Sequence, residues 1–126
     1  MKLIWIVDDD EEMIKAVQLM LKLLGFKTAY HLGARPAALT LLNGERPDLM
    51  ILDINMPDVS GLDLLEFIRR RKELKDLPVV MLSTEAADIT IDRAMELGAD
   101  AYISKPVTIE ELEQAIATAF RKHSIN

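Results

Sequence analysis

The sequence predicts an α/β fold, a doubly wound sheet of five parallel strands with helices on both faces. Three observations predict it. Short apolar runs alternate with longer amphipathic segments along the whole chain. The apolar runs are continuous rather than alternating, the mark of strands buried on both faces. The connections between successive runs are long enough to hold helices, and strands joined by helical crossovers are parallel.

Leu3-Ile-Trp-Ile-Val7 is the first buried strand. Met13, Val17, Met20, Leu21 and Leu24 then recur at steps of three and four, one face of a helix that stops at Gly25. Lys27 to His31 forms a weaker strand, and Pro36 to Leu42 a helix with its proline near the first turn, ended by Asn43-Gly44. Leu49 to Leu52 is the next buried run. Ser60-Gly-Leu-Asp63 has the form of a capping box and opens a helix reaching about Arg71. Val79 to Leu82 is a strand, and Asp88 to Leu97 a helix stopped at Gly98. Ala101 to Ser104 is the last strand. Thr108-Ile-Glu-Glu111 is a second capping box, and the helix it opens turns Ile109, Leu112, Ile116 and Phe120 inward. Trp5, Met13, Met20, Met50 and Met81 are assigned to the core.

At 126 residues the chain has room for one domain, and we expect 1–126 to be that domain, with no output domain attached. The formal net charge of −6 argues against an electrostatic nucleic-acid binder, and no apolar run approaches the length of a membrane span. There are no cysteines, which removes disulfides, thiol nucleophiles and Cys-ligated metals. A cytoplasmic location is expected. Arg69-Arg-Arg-Lys72 is explained by a helix C-terminus, where the dipole favours cations. His31 and His123 lie far from the chemical motifs in sequence.

Ligands of an open parallel sheet sit beyond the carboxyl ends of its strands. Those ends carry Asp8, Asp9 and Asp10 after the first strand and Asp53 after the third. Ser83 and Thr84 follow the fourth, and Ser104, Lys105 and Pro106 the fifth. Carboxylates packed this closely resist ionising together, and a hard divalent cation relieves them. An all-oxygen donor set suits Mg²⁺, with Mn²⁺ as a substitute. A cation beside a lysine and a hydroxyl is a place for a phosphoryl group. Asp53, alone at a central strand end, is the candidate nucleophile that would form an acyl phosphate.

Val7-Asp-Asp9, Asp53-Ile-Asn-Met-Pro-Asp-Val-Ser-Gly61, Leu82-Ser-Thr84 and Lys105-Pro106 together resemble the receiver domain of two-component response regulators. The separations also fit, with 44 residues from Asp9 to Asp53, 30 from Asp53 to Ser83 and 52 from Asp53 to Lys105. The resemblance spans essentially the whole chain. It implies a flavodoxin-like strand order of 2-1-3-4-5 and a phosphoryl donor that is a histidine kinase or a histidine phosphotransfer protein. It implies that Asp53 accepts the phosphoryl group. Asp9 and Asp53 would ligate Mg²⁺ by side chain, Asn55 by its backbone carbonyl and Asp8 through water. Lys105 would pair with the phosphoryl oxygens across a cis Lys105–Pro106 peptide. Ser83 would be the switch hydroxyl, with Thr84 its rival, and Tyr102 the switch aromatic. Ser83 stands where many members carry Thr. Asn55 and Glu85 would tune dephosphorylation. The fourth helix, fifth strand and fifth helix would form the face read by a downstream protein, and the resemblance allows a phosphorylation-dependent homodimer there. Asp10 has no role in this scheme and is assigned to the helix-start surface.

Such a protein is a switch rather than a conventional enzyme. The alternative is a pseudo-receiver that is never phosphorylated and serves as a docking or dimerisation module, for which the joint presence of Asp53, Lys105 and the acid pair is unneeded. A haloacid-dehalogenase-type phosphohydrolase would require a second aspartate at Asn55, and a flavodoxin relative would require a phosphate loop after the first strand. A stand-alone regulator and a receiver belonging to a larger protein are both compatible with the sequence, and the chain's ends lean to the former.

Overall fold

A computed structural model describes residues 1–84 and 88–123. Ten elements alternate along it: β1 (Leu3–Val7), α1 (Glu11–Leu23), β2 (Lys27–His31), α2 (Ala34–Leu42), β3 (Leu49–Asp53), α3 (Gly61–Arg70), β4 (Val79–Ser83), α4 (Asp88–Glu96), β5 (Ala101–Ser104) and α5 (Ile109–Lys122). The strands form one parallel sheet in the order β2-β1-β3-β4-β5. The fold class and strand order expected from the sequence are those of the structure.

The alternation of side chains along each strand divides the core into two layers. Trp5, Val7, Met50, Leu52, Val79 and Met81 face α2, α3 and α4, packing on Ala37, Leu41, Leu64, Leu65, Ile68 and Ala94. Ile4, Ile6, Leu49, Ile51, Val80 and Leu82 face α1 and α5, packing on Ile14, Val17, Leu21, Leu112, Ile116 and Ala119. β3 and β4 are buried along their whole length, which is why their sequences show no polar alternation.

Several local expectations shift. The buried stripe of α1 is Ile14, Val17 and Leu21, while Met13 and Met20 flank it, only partly buried. Ile109 and Phe120 of α5 are half-buried, and Ala115 and Ala119 take the inner positions beside Leu112 and Ile116. α2 begins at Ala34, so Pro36 is its third residue; the first turn has no intrahelical use for that N–H, and the helix tolerates it. The Ser60–Asp63 capping box forms in both directions. At Thr108 the hydroxyl accepts from the Glu111 N–H at 3.2 Å and donates to the Glu111 carboxylate at 2.9 Å, so the carboxylate is engaged by the hydroxyl rather than by the capping amide. Asp10 is the N-cap of α1, accepting from the N–H groups of Glu12 and Met13. Among the described residues no helix is long and apolar enough to cross a membrane.

Candidate functional site

The carboxyl ends of four adjacent strands meet at one point above the centre of the sheet. β3 delivers Asp53 as its last residue, in register with Leu82 of β4. Asp8 follows β1, its backbone N–H held by the carbonyl of His31 at 3.2 Å. Lys105 follows β5, its N–H donating to the Ser83 carbonyl at 2.8 Å. These main-chain bonds continue the sheet ladder one step past the strands, fixing the functional residues to a rigid scaffold rather than to a free loop.

Lys105 Nζ lies 3.3 Å from Asp53 Oδ1 and 3.4 Å from Asp8 Oδ2. Asp8 and Asp53 are both buried, at 1% and 2% exposure, whereas Asp9 is exposed. One carboxylate oxygen from each of Asp8, Asp9 and Asp53 falls within 4.8 Å of the others. Among the described residues Asp53 Oδ1 is buried without a hydrogen-bond partner; its contact with Lys105 is an ion pair lacking the alignment of a hydrogen bond.

The electrostatics follow from this packing. Burial, reinforced by the neighbouring Asp8 charge, pushes the Asp53 carboxyl up to about 6, against the opposing pull of Lys105 and the Asn55 backbone N–H. Burial works against the Lys105 charge as well, but Asp53 and Asp8 outweigh it and hold the ammonium above its usual value. A single cation thus serves two buried carboxylates and a third at the rim. An all-oxygen set with an orphaned buried acceptor fits a hard divalent cation.

The loop after β3 is pinned by burying Ile54 and Met56, which leaves Asn55 between them facing solvent. Ile54 N–H donates to the Leu82 carbonyl at 2.9 Å, and Gly61 N–H to the Ile54 carbonyl at 3.0 Å. Ser83 is fully buried at the end of β4, and Thr84, the next residue, is exposed. Asn55 Nδ2 stands 3.5 Å from Thr84 Oγ1. Tyr102 is half-buried on β5, in register with Met81 and packed on the α2–α4 layer of the core. The Lys105–Pro106 peptide is cis. Glu85 lies outside the described residues.

Four features escaped the sequence reading. His31, distant in sequence, braces the site through its carbonyl, and its ring meets Trp5 edge-on with centroids 4.5 Å apart. Gly61 abuts Asp53, and Asn55 faces Thr84. The fourth lies at the opposite end of the sheet. Arg69, from the basic run, donates to the carbonyls of Gly98 (2.9 Å), Lys75 (3.1 Å) and Leu77 (2.6 Å) and to Asp100 Oδ2 (3.1 Å). Asp100 also accepts from Val79 N–H at 2.9 Å, with His123 Nε2 2.9 Å from each of its oxygens. Arg69 is therefore a half-buried staple between α3 and the amino ends of β4 and β5, a role beyond serving the helix dipole. Arg70 pairs with Glu66, and Arg71 with Glu73, as ordinary surface ion pairs.

The structure is a doubly wound parallel sheet with acids, a buried hydroxyl and a lysine at its carboxyl edge. Residues 4–117 match the response regulator receiver domain family, and the chain belongs to it. It is 37% identical to chemotaxis protein CheY-3 of Vibrio cholerae over 119 residues, covering 94% of this chain and 92% of that one. It is 34% identical to chemotaxis protein CheY of Pseudomonas aeruginosa, over 94% of this chain and 96% of that one. The structure of Vibrio cholerae CheY4 superposes with a TM-score of 0.84 at 26% identity, covering 94% of this chain and 98% of that one.

Proposed function

We propose that this receiver, over residues 1–126, is a phosphoacceptor switch in which Asp53 takes a phosphoryl group from a phosphohistidine donor, a histidine kinase or a histidine phosphotransfer protein. The observation that carries the reading is the Asp53 carboxylate itself, buried at the central strand end, ion-paired with Lys105, crowded by Asp8, and with an oxygen that accepts no hydrogen bond from the described residues. Burying a carboxylate with an unmade bond costs stability, and a site that keeps one has a use for it.

Asp8, Asp9 and Asp53, with the Asn55 backbone carbonyl, would hold Mg²⁺ or Mn²⁺. The cation supplies charge neutralisation at the phosphoryl oxygens. The chain's own residues supply the rest. A carboxylate oxygen of Asp53 attacks phosphorus, the N–P bond of the donor breaks and its electron pair returns to the donor imidazole. Lys105 and the Ser83 hydroxyl receive the phosphoryl oxygens. Drawing Ser83 toward that group vacates space beneath it, which Tyr102 fills by turning inward. The change is read on α4, β5 and α5 by a downstream protein, or by a second copy that dimerises when phosphorylated. Asn55 and Glu85 tune the return to the unphosphorylated state. The site acts in the cytoplasm, inserts in no membrane and contacts no nucleic acid directly.

Intact-protein mass spectrometry after incubation with acetyl phosphate and Mg²⁺ tests this. Wild type should gain a single Mg²⁺-dependent phosphoryl adduct and Asp53→Asn none. No adduct on wild type would leave the unphosphorylated docking module as the better reading.

A further inference from the structure

The loop between Asp53 and α3 is held firmly at its base, where Ile54 and Gly61 make main-chain bonds and Met56 is buried. Met56 N–H donates to the Ile54 carbonyl at 3.2 Å. The Asn55 carbonyl belongs to the same planar peptide as that N–H, so the conformation of the loop sets its direction. Pro57 and Asp58, at the tip of the loop, are exposed. Asp58 has a φ of 72° and is the one non-glycine residue with positive φ among the described residues. That left-handed conformation is disfavoured for any residue with a Cβ, and it persists where the surroundings hold it. A cleft of about 200 Å³ lies between residues 57–59 and residues 32–36. Arg35, in the first turn of α2, spans it. Its Nε donates to Asp58 Oδ2, and its Nη2 to Asp58 Oδ1 at 3.3 Å. The guanidinium grips both carboxylate oxygens as a fork, which fixes orientation as well as distance.

We infer that Arg35 is a positioning residue for the cation site: by holding Asp58 in its left-handed turn, it fixes the loop whose Asn55 carbonyl would ligate Mg²⁺. The inference rests on reading Asp8, Asp9, Asp53 and Asn55 as the set that holds the cation. Arg35 acts through Asp58. Without the fork, Asp58 relaxes toward negative φ, and the change passes through the rigid Pro57 to the Asn55–Met56 peptide. Glycine adopts positive φ freely, so a glycine at position 58 keeps the turn without Arg35. Charge alone works in the opposite direction. Removing a cation from the neighbourhood of the acid cluster favours a bound divalent ion. A loss of Mg²⁺ affinity on deleting Arg35 therefore reports positioning and not charge.

The test is a Mg²⁺ titration followed by backbone amide shifts in wild type, Arg35→Met, Asp58→Gly and the double variant. Methionine keeps much of the aliphatic stem and deletes the fork. Arg35→Met should bind Mg²⁺ about two- to five-fold more weakly, the affinity equivalent of one exposed ion pair. Asp58→Gly should bind close to wild type. Adding Arg35→Met to Asp58→Gly should produce no further loss, since the two residues act as one unit. Equal or tighter binding by Arg35→Met, or the same loss in both backgrounds, would overturn the positioning role while leaving the cation site intact. Absence of Mg²⁺-dependent shifts in wild type would overturn the cation site and the inference with it.

Discussion

The carbonyl oxygen of Asp53 occupies the space where a side chain on Gly61 would begin. A Cβ built on Gly61 would lie 2.0 Å from that oxygen and 2.9 Å from the Ile54 Cα. The first turn of α3 is thereby pressed against the strand end that carries the candidate phosphoacceptor, and only a residue without a side chain permits the approach.

Gly61→Ala should therefore destabilise the protein by about 3 kcal/mol, the upper part of the usual range for overpacking, because the obstruction is backbone rather than a flexible side chain. Urea denaturation reads this as a lower midpoint. Wild-type stability in the variant would show that the loop moves away at little cost.

The Asp53 carboxyl, raised to about 6, stays protonated in the native state at a pH where the unfolded chain has already ionised. Between pH 4 and 6 the native state thus binds the extra proton, and this group's contribution falls as pH rises through that window. Asp53→Asn should flatten that part of the stability–pH profile. The same proton competes with a cation. Saturating Mg²⁺ should raise the melting temperature at pH 7.5, since only the folded acid cluster binds it, and the gain should shrink below pH 6. A Mg²⁺ effect independent of pH down to 5 would contradict this.

His31 is held below the ordinary histidine value chiefly by burial, with Glu45 opposing. Its neutral form is the native one. Stability from this group is complete above about pH 6.5 and is lost as pH falls through the lower native value. His31→Gln should remove that acid-side loss. Because the ring touches Trp5, the Trp5 fluorescence of wild type should change over the same window and stay constant in the variant.

Arg69 and Arg70 are neighbours of the same type with very different expected costs. Arg69→Ala unpairs the buried Asp100 from its guanidinium and leaves three carbonyls without their donor, at about 3–5 kcal/mol. Arg70→Ala removes an exposed pair with Glu66, worth about 0.5 kcal/mol. Thermal melts of the two variants distinguish them, and equal shifts would refute the assignment.

The strands were legible in the sequence because both faces are buried and the periodic signal is unbroken. The helices were legible from Ser60, Thr108 and the glycines that end them. The gathering of Asp8, Asp53, Ser83 and Lys105 was legible because each directly ends or follows a strand, and parallel strands bring those ends to one edge. What stayed hidden depends on side-chain direction and on residues far apart in sequence. Arg69 looks like its neighbours until the α4–β5 turn is seen to fold over it. Gly61 carried a weak signal, a poor helix former in a first turn, but the strand it touches could not be named. His31 reaches the site by its carbonyl, a group that every residue possesses.

The Arg69–Asp100–His123 network, with Lys122 donating to the Asp100 carbonyl at 2.9 Å, joins α3, β4, the α4–β5 turn and the end of α5 at the edge of the sheet remote from the acids. The two helical layers, α3 on one face and α5 on the other, are thus tied to each other past the amino ends of β4 and β5, so the far end of the sheet holds its own shape without help from the Asp8–Asp53–Lys105 cluster.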